Sequence, residues 1–270
     1  MGRRFKLIFD GKWFLSAKGK SPQDSWARPV IETLDEGGLE YLNTLRLWFD
    51  KFPLNQKRKK DLKNKIQSFK IDEHLGAVNE LSWYAFMTLF NWDVDPISER
   101  GKHPDFYIKK PSKFYCEVTT LNISASDKSA PCSRIGGLIN HEQPINRILR
   151  KVLDEKFSQL NYGFIRKKPS IMVVLDYSTD SIGTQRCHAF AKSLLKNLNL
   201  LPVSLSALLY VEKYVDKGKI KINSQKSSVY HNPNAKFKLP LSAFKMLPQF
   251  SCSLLERLPK NPKRIEYELK

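Results

Sequence analysis

Two stretches of the chain, His103–Lys109 and Lys113–Leu121, alternate apolar and polar residues with a period of two, and only Lys110-Pro111-Ser112 separates them. That period belongs to half-buried strands, so the pair predicts a β-hairpin. Phe106 and Ile108 take one face of the first strand; Phe114, Cys116 and Val118 take one face of the second. A symmetric three- or five-residue loop centred on Pro111 pairs residues whose numbers sum to 222, setting Ile108 opposite Phe114 and Asp105 opposite Glu117. A two- or four-residue loop would slip the register by one and send the carboxylates to opposite faces. Superposing the apolar faces favours the first arrangement. Two like charges directly opposite destabilise a sheet, so a positive group is expected between Asp105 and Glu117.

The segment before the hairpin is as informative. Leu75 to Asn91 reads as a helix that is apolar around almost its whole circumference, with Val78, Leu81, Trp83, Tyr84, Phe86, Met87, Leu89 and Phe90. Glu80 is the one acid inside it. A carboxylate on such a helix needs a cation or a metal, unless it lies along the helix's single wet edge. Asp93 to Ile97 follows as a short edge strand, and Arg100-Gly101-Lys102 as a turn.

Downstream, Asn122 to Asn140 is polar, Ser-rich and contains Gly136-Gly137, the composition of a mobile loop beside a cleft. Helix is expected from Ile145 to Leu160, buried strand from Ile171 to Tyr177, helix from Gln185 to Leu198 and buried strand from Ala207 to Tyr214. Strands alternating with helices indicate an α/β sheet covered on both faces. Upstream, Phe5–Phe9 and Trp13–Leu15 read as a hairpin split by Asp10-Gly11. Helix follows Pro29, with Gly37-Gly38 breaking or restarting it. From Val215 the pattern weakens into basic, Asn- and Pro-containing loop with an apolar patch at Leu239–Phe250. The expected organisation is an N-terminal appendage and basic linker (1–69), a core (70–215) and a basic C-terminal extension (216–270). A chain of 270 residues buries roughly three quarters of its unfolded surface and needs no covalent staple.

Charge points to the partner. Forty-six Lys and Arg against 27 Asp and Glu give +19, an excess that suits a polyanion, with nucleic acid first among the candidates. An anionic membrane surface is the rival, but no clear basic amphipathic helix supports it. The densest run, Lys57 to Lys70, sets Lys57, Arg58, Lys59, Lys60, Lys63, Lys65 and Lys70 against the single acid Asp61. Lys57, Arg58, Lys59, Lys60 and Lys63 are the expected phosphate contacts, a solvated helix face or linker being the alternative. Cys116, Cys132, Cys187 and Cys252 are scattered without zinc-ligand spacing, which fits reduced thiols. With no signal-peptide core and no membrane-length apolar run, a cytoplasmic, non-membrane protein is expected. No Gly-rich phosphate loop appears, and His103, His141 and His188 have no assignable nucleophile partner, which disfavours an ATPase or a hydrolase triad.

Glu80 on a helix, Pro104-Asp105, then Glu117-Val118-Thr119 on the following strand resembles the active-site layout of the PD-(D/E)XK nuclease superfamily. The resemblance covers roughly residues 70 to 215. It implies a restriction endonuclease-like fold, a mixed α/β sheet flanked by helices. It also implies a divalent metal, Mg²⁺ or Mn²⁺, held by Asp105 and Glu117 with Glu80 joining them, and hydrolysis of phosphodiester bonds in DNA, plausibly in a bacterial or mobile-element defence system. A homodimer is compatible with that reading. The family's lysine, two residues past the second acid, is Thr119 here. Some members supply the cation from a neighbouring helix, and Lys156 is the preferred substitute, ahead of Lys151 and Lys113. The rival expectations are a nuclease-like protein that binds nucleic acid without cutting it, and an interaction or immunity protein whose basic surface meets an acidic partner.

Overall fold

The computed structural model of the chain describes residues 8–21, 25–97, 102–121, 154–176, 201–251 and 266–269. The fold is α/β. Its helices are α1 (Gly11–Lys18), α2 (Ala27–Glu32), α3 (Gly38–Lys51), α4 (Gln56–Gln67), α5 (Ile71–Leu89) and α6 (Phe157–Ile165). Its strands are β1 (Asp93–Pro96), β2 (Phe106–Lys110), β3 (Phe114–Leu121), β4 (Ser170–Asp176), β5 (Ala207–Asp216), β6 (Lys219–Asn223), β7 (Ser228–His231), β8 (Gln249–Ser251) and β9 (Glu266–Glu268). The expected loop Asn122–Asn140, the helix Gln185–Leu198, most of the helix expected over Ile145–Leu160, and Lys151 lie outside the described residues.

The strands form one mixed sheet. β1, β2 and β3 run antiparallel in sequence order, and β3, β4 and β5 are parallel neighbours. Beyond β5 the sheet divides: Ala207–Tyr210 pairs with β7, Lys213–Asp216 with β6, and β9 completes the second branch. The hairpin register is the one that superposes the apolar faces, with Phe106 opposite Cys116, Tyr107 opposite Tyr115 and Ile108 opposite Phe114. Buried Phe106, Ile108, Phe114 and Cys116 thus share one face, and α5 packs there, with Tyr84 stacked on Phe106 at 6.3 Å between ring centroids. Tyr107, Tyr115 and Glu117 share the other face, on which α6 sits with Tyr162 edge-on to Tyr115 at 5.1 Å.

A buried polar cluster crosses the α5 interface. Lys213 of β5, 1% exposed, donates to Asn79 Oδ1 and, at 3.1 Å, to Ser82 Oγ on α5. Asn79 Nδ2 in turn donates to Thr120 Oγ1 of β3 at 2.7 Å. Burial pushes the Lys213 amine down to about 7.

Two expectations are corrected. Asp10-Gly11 is not a hairpin turn: the Asp10 carboxylate accepts from Trp13 N at 2.9 Å and caps α1. Trp13 and Ala17, one helical turn apart, then bury one side of α1, with Trp13 against Phe9 and Trp26. Val215 onward is not mainly loop, because Ile220 and Ile222 are buried between outward-facing Lys219 and Lys221, and that alternation makes β6. One continuous core runs from Ile8 through α3 and α5 to Tyr267 and Leu269. Gly37-Gly38 restarts the chain as α3, and Gly37 (φ 122°) meets the β5–β6 turn at Gly218 (φ 79°) backbone to backbone. A Cβ on Gly37 would fall 2.5 Å from the Lys217 carbonyl carbon, so only glycine fits there.

Candidate active site

Pro104 and Asp105 stand where β2 begins, and proline has no N–H to offer a ladder. The Asp105 side chain takes over the edge: its Oδ2 accepts the Val118 N–H of β3 at 2.8 Å. Extending the register of the hairpin by one pair sets Asp105 opposite Glu117, on the face shared with Tyr107 and Tyr115. Glu117 is 2% exposed, whereas Asp105 and Glu80 are half-buried and retain access to solvent.

The three acids sense one another. Burial first, and then the Asp105 charge, push the Glu80 carboxyl up to about 7. The same two causes push Glu117 up to about 8, with Glu80 adding to the effect and Lys156 opposing it. Asp105 is also raised by burial, and its hydrogen bond from Val118 counters part of that. Carboxyls with such values share protons near neutrality and lose them when a cation arrives.

Lys156, immediately before α6, supplies one positive charge. Its Nζ lies 2.5 Å from Glu117 Oε1, and its field reaches Asp105. Lys113 is exposed at the far end of the hairpin.

The basic helix α4 supplies the remainder. Leu62 and Ile66 bury its inner stripe, and Arg58 and Lys65, seven residues apart, fall on one flank of that stripe. Both lower the Glu80 and Asp105 carboxyls, so that flank faces the acids. The expected phosphate contacts therefore separate. Arg58 is beside the site. Lys57 and Lys60 are exposed on the outer side of the helix. Lys63 shares the opposite flank with Lys59, and Lys59 reaches back to α3, with Nζ 3.4 Å from Asp50 O and 5.7 Å from the Phe49 ring centroid. Lys65 is the residue the candidate set lacked; its seven-residue spacing from Arg58 was the available signal.

Among the described residues, no group of three or more His, Cys, Asp and Glu side chains is arranged to hold a metal ion. The chemistry of the set nevertheless fits a hard divalent cation. Glu117 Oε2 is buried and receives no hydrogen bond among the described residues, and all three carboxyls are raised by burial. Carboxylate oxygens are the donor type that Mg²⁺ or Mn²⁺ takes. Among the described residues, no helix is long and apolar enough to cross a membrane. Comparison of the chain with protein-family models, with curated proteins and with solved structures finds no match.

Proposed function

We propose that the protein is a metal-dependent endonuclease that hydrolyses phosphodiester bonds in nucleic acid, with DNA as the first expectation. The observation that supports the reading is the electrostatic coupling of Asp105, Glu117 and Glu80 near one end of the β2–β3 hairpin, with Lys156 on Glu117 and the Arg58/Lys65 flank within reach of their field. Asp105, Glu117 and Glu80 would hold Mg²⁺ or Mn²⁺. Bound there, the ion lowers the pKa of a coordinated water and offsets charge building on the phosphorus.

The chain's own groups have distinct tasks. Arg58 and Lys65 draw the phosphate toward the carboxylates. Lys156 holds the Glu117 carboxylate in place and adds a positive charge beside the scissile group. The Val118 N–H fixes the Asp105 carboxylate at the strand edge.

Supercoiled plasmid incubated with Mg²⁺, with Mn²⁺ and with EDTA tests this reading. Metal-dependent cutting is expected, falling roughly a thousandfold or more in both Asp105→Ala and Glu117→Ala. Cutting that persists in either variant, or in EDTA, would overturn it. One observation favours a second reading: the 2.5 Å contact of Lys156 with Glu117 satisfies one carboxylate oxygen without any metal. A protein that binds nucleic acid without cutting it would show salt-sensitive binding, no cleavage under any metal, and indifference to both substitutions.

A further inference from the structure

The face of the hairpin that carries the carboxylates continues past them. Two residues along each strand from Asp105 and Glu117 stand Tyr107 and Tyr115, directly paired, with ring centroids 4.8 Å apart. One step is about 6.8 Å along a strand. Tyr162 of α6 meets Tyr115 edge-on at 5.1 Å, His103 lies 4.9 Å from Tyr162, and the Arg166 guanidinium lies 3.5 Å from the Tyr162 ring centroid. All four rings are half-buried, and Arg166 is exposed. The next step along the strands brings Lys109, paired with Asp95 at 2.6 Å, and exposed Lys113. Acids, aromatic rings and cations therefore follow one another in order down one face.

A core would use these rings differently. The apolar side of the same strands is sealed by Phe106, Ile108, Phe114 and Cys116, all 0% exposed, whereas on the other side Tyr115 packs against α6, Tyr107 stays half-exposed beyond it, and Lys113 and Arg166 are exposed at the border. Accessible rings bordered by Lys and Arg are what unpaired bases and their phosphates require. A paired duplex hides the faces of its bases and offers such rings nothing to stack on.

We infer that Tyr107, backed by Tyr115 and Tyr162 and rimmed by Lys113 and Arg166, forms a stacking platform for an unpaired nucleic-acid strand, which the platform feeds to the adjoining carboxylates. The substrate class is then single-stranded nucleic acid, or the unpaired portion of a longer one. The inference rests on the proposed nuclease reading for its direction toward Asp105 and Glu117, but not for the binding itself.

Fluorescence anisotropy in EDTA, where no cutting occurs, separates the two. Labelled unpaired DNA, unpaired RNA of the same sequence and a blunt duplex of equal length are titrated with the wild-type chain, Tyr107→Ala, Tyr107→Phe and the Lys113→Ala/Arg166→Ala pair. The unpaired strand is expected to bind more tightly than the duplex. Tyr107→Ala should weaken that binding by about tenfold and leave duplex binding unchanged, and Tyr107→Phe should retain it because the ring is kept. The paired cation variant should flatten the salt dependence. An oligonucleotide carrying iodouracil should photocrosslink to Tyr107 or Tyr115. Equal binding of the wild type, Tyr107→Ala and Tyr107→Phe would overturn the platform, as would duplex binding as tight as that of the unpaired strand. Cleavage abolished by Glu117→Gln alongside either of those results leaves the nuclease and removes the platform. Stacking lost in Tyr107→Ala without cleavage under any metal keeps the platform and removes the nuclease.

Discussion

Two clusters in this molecule bury ionisable groups against α5, and they do so in opposite ways. At the sealed side, Lys213 is 1% exposed and spends its hydrogen bonds on Asn79 and Ser82, with Thr120 joining through Asn79. At the end of the hairpin, Glu80 and Asp105 stay half-open, Glu117 keeps one oxygen without a donor among the described residues, and a flank of cations from α4 faces them. The first cluster ties α5 to β3 and β5. The second is left electrically incomplete within reach of solvent. Burial alone does not separate the two clusters; the difference lies in whether the partners of each group complete it.

The sharpest break between the clusters is in activity. Glu117→Gln should cost roughly a thousandfold in metal-dependent cleavage while changing the melting temperature little, and cleavage assays beside thermal denaturation measure both. Lys213→Ala should do the reverse. It strands the Asn79 and Ser82 acceptors and opens a cavity, costing about 3 kcal/mol in urea denaturation, with cleavage per folded molecule within about twofold of wild type.

The pH dependence of stability should run in opposite directions. Glu80 is raised from 4.5 to about 7, so the folded chain binds more protons than the unfolded one in that interval. Its stabilising share is present below pH 4.5 and is lost as pH rises through 7. Lys213 is lowered from 10.5 to about 7, so the unfolded chain binds more protons and stability grows as pH climbs from 7 toward 10.5. Glu80→Gln should therefore be the more stable protein above pH 7, by roughly 1–2 kcal/mol once screening of a half-exposed carboxyl is allowed for, with the advantage vanishing near pH 4.5. Denaturation midpoints across that range decide it, and an advantage that is constant with pH would dissolve the contrast.

A smaller effect sharpens it further. Mg²⁺ binding near pH 7 should expel about one proton from the acid cluster, read by calorimetry in buffers of different ionisation enthalpy. Glu117→Gln should reduce that release, and Lys213→Met should leave it intact. The smallest expected difference lies on α4. Arg58→Ala combined with Lys65→Ala should lower the salt slope of nucleic-acid binding by about two, whereas Lys59→Ala, whose amine leans on α3, should lower it by less than one.

What the sequence revealed follows the same division. The hairpin register could be read because a slip of one residue would have turned Phe106, Ile108, Phe114 and Cys116 to the wrong face, and so great a penalty leaves a mark in the pattern. With the register came the facing of Asp105 and Glu117, and the need for a cation to which Lys156 answers. Asp10-Gly11 misled because the same dipeptide suits a tight turn and a helix cap; the choice was made by Trp13 and Ala17 docking on distant rings, which no local signal records. The approach of Arg58 and Lys65 to Glu80 depends on how α4 lies against α5, a tertiary fact. The Lys213 cluster joins residues from β5, α5 and β3 that carry no common motif. β6 was missed for a different reason, since its alternation of lysine and isoleucine was present but sat within a stretch dominated by charge.

The contact of Gly37 with Gly218 clasps the beginning of the fold to a strand turn far along the chain, at a spot too narrow for any side chain. A fragment limited to residues 70–215 would lose both halves of that clasp and, without Phe52, would bare Tyr84 and Phe106 to water. The carboxylate cluster and the two flanks are thus a single object to express, label and crystallise, and a tag or fusion joint belongs anywhere but at that seam.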